Sequence, residues 1–130
     1  MMRVKTRVAS SPIAGLGLFA DQDIGEGETI WMFDPGIDQV VDLRYVSPDD
    51  PVARDFVLKY GYQTVVDEPV FVLCVDDARY MNHSDDPNIH EVDEKSVAVR
   101  AIRRGEEITT NYKDFDRRYR SRNPEWDSEN

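Results

Sequence analysis

Ala78-Arg79-Tyr80-Met81-Asn82-His83-Ser84-Asp85-Asp86-Pro87-Asn88 is the stretch that decides the fold. It crowds a guanidinium, a phenol, two amides, an imidazole and two carboxylates into a short space. Arg79 follows Asp76 and Asp77 closely enough to form an ion pair with either. His83, Asp85 and Asp86, taken with His90, Glu91 and Asp93, raise a second reading, a metal site, because histidine and carboxylate clusters ligate transition metals. The spacing argues against it. It follows no calcium-loop pattern, the glycine such a loop needs at its sixth position is missing, and Pro87 interrupts any helical presentation of ligands. No metal is expected.

Working outward, a chain of 130 residues suits one domain that buries about two-thirds of its unfolded surface. With 40% hydrophobic and 10% aromatic residues the composition is that of a folded protein, and no window approaches the ~20 apolar residues needed to cross a bilayer. The start, Met1-Met2-Arg3-Val4-Lys5, lacks the apolar stretch and cleavage site of a secretory signal, so no membrane role and a cytoplasmic location are expected. Cys74 lies in the apolar run Val70 to Val75 and reads as a small buried thiol, which excludes disulfides and zinc-cysteine sites. The net charge is −10, and residues 34 to 77 alone carry ten acids against three bases. Such a field repels nucleic acid phosphates and attracts cationic partners, besides aiding solubility.

Period-two alternation over Arg3 to Val8 predicts a half-buried strand. Further strands are expected at Thr29 to Phe33, Val40 to Val46, Val70 to Val75, Val97 to Ile102 and Glu107 to Tyr112, making the protein mainly β with one or two short helices. Ser47-Pro48-Asp49-Asp50 predicts a helix start, Val52, Phe56 and Tyr60 share a face expected in the core, and Gly61 offers a stop. A second helix is expected from Asp114, where Phe115, Arg118, Tyr119 and Arg122 recur at helical steps, with residues 123 to 130 frayed. An echo joins Ile24-x-x-Gly27-Glu28-x-Ile30 to Ile102-x-x-Gly105-Glu106-x-Ile108, which reads as shared turn chemistry.

Gly15-Leu16-Gly17-Leu18-Phe19-Ala20 fits the G-x-G-x-x-G/A pattern of dinucleotide loops. That fingerprint needs a buried strand before the glycines and a helix starting within them. Here Ser10-Ser11-Pro12 precedes and Asp21-Gln22-Asp23-Ile24-Gly25-Glu26-Gly27 follows, both turn chemistry, so the loop is read as a glycine turn between short strands.

The 78–88 stretch resembles the ARF-I-NHS-x-x-PN signature of the SET-domain protein lysine methyltransferases. Ser11 to Ala20 resembles the family's N-terminal cofactor loop, and Gly105-Glu106-Glu107-Ile108-Thr109-Thr110-Asn111-Tyr112 resembles its GEEL-T-x-x-Y block. The three blocks stand in the family's order and cover residues 4 to 112. The resemblance implies several small curved sheets with a C-terminal pseudoknot, threading that periodicity does not predict. It implies one SET domain over residues 1 to 122, with 34 to 77 as a variable acidic insert and 113 to 122 as a channel-closing segment.

Further implied are S-adenosylmethionine as cofactor, held by Ala14, Gly15, Leu16, Gly17, Arg79, Asn82 and His83, and Tyr112 as the catalytic tyrosine. Asn82 offers one acceptor and two donors, matching an adenine edge. His83 lends backbone groups or packs as a buried imidazole. Phe115, Tyr119 and Trp126 are alternatives for an adenine-stacking aromatic, with Phe115 preferred. Tyr60, Tyr62, Tyr80 and Thr110 are the candidate substrate-channel residues, and the small side chain of Thr110 leaves room for repeated methylation.

Relatives with zinc carry a cysteine after NHS, where this chain has Asp85, so closure falls to residues 113 to 130, to a homodimer partner, or is absent. The GN dipeptide that often precedes the family's RF segment is absent too. The expected substrate is a basic protein or peptide, histone-like or otherwise lysine-rich. A chromatin substrate would shift the location to nucleoid or nucleus. The alternative is a catalytically silent SET module that binds peptides or assembles with partners.

Overall fold

The structure, a computed structural model, describes residues 1–64 and 68–116. Its elements are β1 (Thr6–Ser10), β2 (Leu16–Ala20), β3 (Thr29–Met32), β4 (Gln39–Asp42), α1 (Pro51–Tyr60), β5 (Tyr62–Gln63), β6 (Val70–Leu73), β7 (Asn82–His83), β8 (Ile89–Val92), β9 (Lys95–Ala98) and β10 (Glu107–Thr110). They form three small sheets, ordered β1-β2-β10-β7, β3-β9-β8 and β4-β6-β5. The mainly β character read from the sequence is what the structure shows. The first strand begins at Thr6 rather than Arg3, and the strands expected at 29–33, 70–75 and 107–112 each end one or two residues earlier. The strand expected at 97–102 lies at Lys95–Ala98 instead.

The glycine stretch is a hairpin. Gly15 sits at φ +46°, and β1 pairs antiparallel with β2 from Thr6↔Ala20 to Ser10↔Leu16. β10 then pairs antiparallel with β2 and parallel with β7, Thr109 opposite Asn82 and Thr110 opposite His83. A parallel pair cannot be closed by a tight turn. The chain therefore leaves β7, builds the β8–β9 hairpin and returns to lie between β2 and β7. That return brings the two ends of the motif-bearing sequence into one sheet.

The echo is a real structural correspondence. Ile24 and Ile102 bridge each other, with N to O distances of 2.8 and 2.9 Å. Gly27 and Gly105 take φ +81° and +95°, and Glu28 and Glu106 each accept from the backbone N–H three residues back, on Gly25 and Arg103. Leu18, Ile24, Ile30, Ile89, Ile102 and Ile108, all at most 2% exposed, form the main core around this pair of turns.

The acidic insert departs from expectation twice. The strand from Val40 stops at Asp42, whose carboxylate accepts from Arg44 N (2.9 Å) and pairs with the Arg44 side chain, winding Leu43–Tyr45 into a 3₁₀ turn. This local bonding competes with the ladder. α1 is capped by Asp50, which accepts from Ala53 N at 3.0 Å, and not by Ser47, which instead accepts from Asp49 N. Pro51 suits the first helical position. Val52 (79% exposed) and Phe56 (41%) do not join the core; Val57 does, against Leu43 and Phe71. The helix instead turns the face of Ala53, Arg54, Val57 and Leu58 inward.

The β8–β9 hairpin turns on Asp93 and Glu94, at φ +50° and +64°. A two-residue turn with both positions left-handed favours glycine, because each Cβ crowds the following carbonyl. Glu94→Gly is expected to stabilise the fold by about 0.5–1 kcal/mol, read as a rise of a few degrees in thermal midpoint. Residues 65–67 and 117–130 lie outside the described residues, and with them Tyr119, Trp126, the expected tail and most of the expected second helix. Tyr112–Asp114, which runs into the expected start of that helix, is a 3₁₀ turn.

Candidate active site

Between the sheets lies a cavity of about 190 Å³. Tyr60, Tyr62, Tyr112, Phe115 and Trp31 give it aromatic walls, and Thr110, Glu91, Ser96, Asp116, Lys59, Cys74 and Arg79 supply its polar groups. Tyr62 and Phe115 meet edge to face with centroids 5.1 Å apart, and Phe115 stands 6.0 Å from Tyr112. Such edge contacts fix ring orientation beyond simple area burial.

Tyr112 is held at three points. Its hydroxyl donates to Met81 O at 2.7 Å, its backbone N donates to His83 Nδ1 at 3.2 Å, and its ring lies 5.3 Å from the His83 ring. Because Nδ1 accepts, the proton of the neutral imidazole sits on Nε2, which faces Asp85 Oδ1 at 2.9 Å. The parallel register of β7 and β10 makes this possible, since it ends with Thr110 beside His83 just before Tyr112.

On the other side of β7 the Asn82 amide donates to Ala14 O (3.2 Å), Leu16 O (3.1 Å) and Glu107 Oε2 (3.0 Å). Ser11 Oγ also donates to the Glu107 carboxylate, at 2.8 Å to each oxygen. Gly17 permits this assembly: a Cβ there would come within 2.5 Å of Glu107 Oε2 and 2.9 Å of Ser11 Cβ. Thus the glycine loop, Asn82 and Glu107 make one bonded unit, adjoining the cavity through β7 and Tyr112.

Burial dominates the electrostatics of the cavity. It pushes the Cys74 thiol up to about 12 and raises Tyr62, so both stay protonated at neutral pH. Burial also raises Glu91, countered in part by the hydrogen bond from Ser96. Across the cavity the Arg79 guanidinium lies over Tyr60 and Tyr80, 5.5 and 5.1 Å from the ring centroids. The Thr110 Oγ1 and Trp31 Nε1 atoms are buried without a hydrogen-bond partner among the described residues.

The SET-domain family model matches residues 15–113. The chain belongs to the SET-domain family. Among solved structures, Polycomb Repressive Complex 2 of Chaetomium thermophilum is 26% identical with a TM-score of 0.66, over 94% of this chain and 17% of that one. An active polycomb repressive complex 2 in the basal state is 28% identical, TM-score 0.61, over 84% of this chain and 15% of that one. A Plasmodium falciparum protein described as a histone methyltransferase shares the fold at 21% identity and TM-score 0.58, over 85% and 95%. The chain therefore spans under one-fifth of the polycomb chains it matches. Comparison with the curated proteins finds no match.

With the SET fold in hand, the predicted residues sort clearly. Tyr112, Thr110, Tyr60 and Tyr62 line one cavity. Tyr80 does not line it; its hydroxyl accepts from Arg79 Nη2 at 3.3 Å behind Tyr60. Arg79 forms no ion pair with Asp76 or Asp77, because Asp76 is engaged by the backbone N–H groups of Met2 and Ala78, and the guanidinium turns to the tyrosines. Phe115 stands in the cavity wall between Tyr62 and Tyr112. Ala14, Gly15, Leu16 and Gly17 gather with Asn82, whose amide hydrogens serve loop carbonyls rather than standing free for a purine.

Two residues of the candidate site have places that the motif blocks do not announce. Glu107 enters the sequence reading only as a member of its strand and of the Gly105–Tyr112 block; its register partner is Phe19, and its carboxylate reaches diagonally to the Cβ position of Gly17. Glu91 reads as a candidate metal ligand, whereas it turns into the cavity, and no three His, Cys, Asp or Glu residues gather in a metal-binding arrangement among the described residues.

Proposed function

We propose that this SET domain transfers a methyl group from S-adenosylmethionine to the side-chain amine of lysine in a basic protein or peptide. The observation that carries this reading is Tyr112, fixed through Met81 and His83 at the wall of an aromatic cavity whose neighbouring strand holds the glycine loop.

The residues present fit the cofactor. Gly15 has open space where a side chain would stand, Ile13 and Leu16 leave about half their surface uncovered beside it, and Asn82 and Glu107 hold the loop rigid. Ala14 to Gly17, fixed in place by the Asn82 amide, would hold the cofactor together with His83; the cofactor supplies an electrophilic methyl on a sulfonium. The chain's own part is preparation of the amine. A lysine ammonium, which in water titrates near pH 10.4, has no lone pair until it sheds a proton. A largely aromatic cavity disfavours the charged form, so burial there lowers the amine pKa. Tyr112 donates its proton to Met81 O, which leaves the phenol oxygen as an acceptor for an amine N–H and so aims the nitrogen lone pair. Thr110, buried with an unsatisfied hydroxyl, leaves space and one further hydrogen-bonding group beside that nitrogen. The acidic insert supports a cationic partner.

Calorimetry with S-adenosylhomocysteine, followed by mass spectrometry of histones and other basic proteins incubated with the enzyme and S-adenosylmethionine, tests this reading. Binding together with methylated lysines is expected. Cofactor binding without any methylated product would instead indicate a silent module, and no binding would overturn the reading.

A further inference from the structure

One row of the β3-β9-β8 sheet faces the cavity with Trp31, Ser96 and Glu91, which the register sets directly opposite one another. Ser96 is buried and its hydroxyl donates to Glu91 Oε1. Among the described residues no N–H or O–H donates to Oε2 and no lysine or arginine pairs with this carboxyl. The other carboxylate of the lining, Asp116, accepts from Gln63 N. A carboxyl is thus aimed into an aromatic chamber, oriented by a buried serine, with one oxygen left over. Isolated, it is costly; facing a cation, it is the natural partner. Aromatic faces of Trp31 and the cavity tyrosines add attraction for the same charge.

We propose that Glu91 is the cation-recognising carboxylate of the cavity, accepting N–H bonds from the ammonium of the incoming lysine and from the methylammonium product. This rests on the lysine-transfer reading and names the group that selects a basic side chain over a neutral one. The transfer itself balances without a proton on Glu91: the amine nitrogen bonds the methyl carbon, the sulfur keeps the electrons of the broken bond, and positive charge moves toward Glu91. The carboxylate stabilises that shift. It also stabilises the unreactive ammonium, so it holds the amine pKa higher than the aromatic walls alone would. The titratable groups whose charge bears on Glu91 are His90, adjacent on the same strand but on its other face, Asp114 on the 3₁₀ turn, and Cys74 and Tyr62 of the cavity; Lys59, Arg79 and Asp116 also line the chamber.

The sign of the stability effect separates recognition from scaffolding. Burial raises the Glu91 pKa above its unfolded value, so the contribution favours folding at low pH and is lost as pH rises through the folded pKa. Glu91→Gln is therefore expected to melt higher than the wild type at pH 8 and equally at pH 4. A scaffolding carboxylate would give a lower melting temperature at pH 8. In the cofactor-free protein, nuclear magnetic resonance titration with n-butylammonium chloride is expected to give chemical-shift changes at Ser96 and Trp31, about tenfold weaker affinity in Glu91→Gln, partial recovery in Glu91→Asp, and no response to n-butanol. With a lysine peptide and S-adenosylmethionine, Glu91→Gln is expected to raise KM about tenfold and move the ascending limb of the rate profile to lower pH. Equal n-butylammonium affinity in wild type and Glu91→Gln overturns the proposal. Absence of methyl transfer by the wild type overturns the lysine-transfer reading instead, and the titration still decides the carboxylate.

Discussion

Tyr112→Phe is expected to lower kcat for lysine methylation by about two to three orders of magnitude while leaving the affinity for S-adenosylhomocysteine within a few-fold of the wild type. The ring stays in place through its contacts with His83 and Phe115, and the backbone bond to His83 is untouched. Only the hydroxyl is lost, with its bond to Met81 O and its lone pairs in the cavity. Removal of one preorganised hydrogen-bonding group costs about this much in other enzymes. Single-turnover methyl transfer measured beside calorimetric cofactor binding checks the split. A variant that keeps full kcat would remove Tyr112 from the chemistry, and one that loses cofactor affinity instead would assign it to the nucleoside side.

Gly17→Ala is expected to be the most damaging small change in the loop. The added methyl would sit 2.5 Å from Glu107 Oε2 and 2.9 Å from Ser11 Cβ, so Glu107 must leave its place. Two hydroxyl contacts from Ser11 and one amide contact from Asn82 go with it. Overpacking plus the stranded amide costs about 2–4 kcal/mol. The thermal midpoint should fall by about 10 °C or more, and cofactor affinity by at least tenfold, because the carbonyls of Ala14 and Leu16 are anchored by the same Asn82. Gly15→Ala makes the control. Nothing lies within 4 Å of a Cβ there, so only the positive φ opposes it, and a smaller loss of about 1 kcal/mol is expected. Similar losses in the two variants would show that loop conformation, and not the Glu107 clamp, is what matters.

Much of this is legible in the chain. The three motif blocks bring out Tyr112, Asn82, His83 and the glycine loop, because turn glycines and polar residues at fixed spacing keep their meaning without coordinates. The Ile24 and Ile102 echo predicts a shared turn but not that the two copies bridge each other, which depends on a contact remote in sequence. What stays hidden is decided by register and orientation. Glu91 and His90 are neighbours on one strand, and only the pairing Glu91↔Ser96↔Trp31 sends the first into the cavity. The Val52, Phe56 and Tyr60 stripe reads as core by period alone, yet α1 turns Ala53, Val57 and Leu58 inward against Leu43 and Phe71, leaving Val52 and Phe56 exposed and Tyr60 at the cavity. Arg79 reads as a partner for the cofactor or for an acid; it pairs with neither Asp76 nor Asp77, and its guanidinium lies over two tyrosine faces at the cavity wall.

The most direct test of the central claim is a crystal structure with S-adenosylhomocysteine and a lysine peptide bound together. The account predicts the nucleoside along Ala14 to Gly17 and Asn82, and the lysine nitrogen inside the cavity, within hydrogen-bond reach of the Tyr112 oxygen and facing the sulfur. A nucleoside bound elsewhere, or a lysine that lies outside the cavity with Tyr112 remote from both, would contradict it.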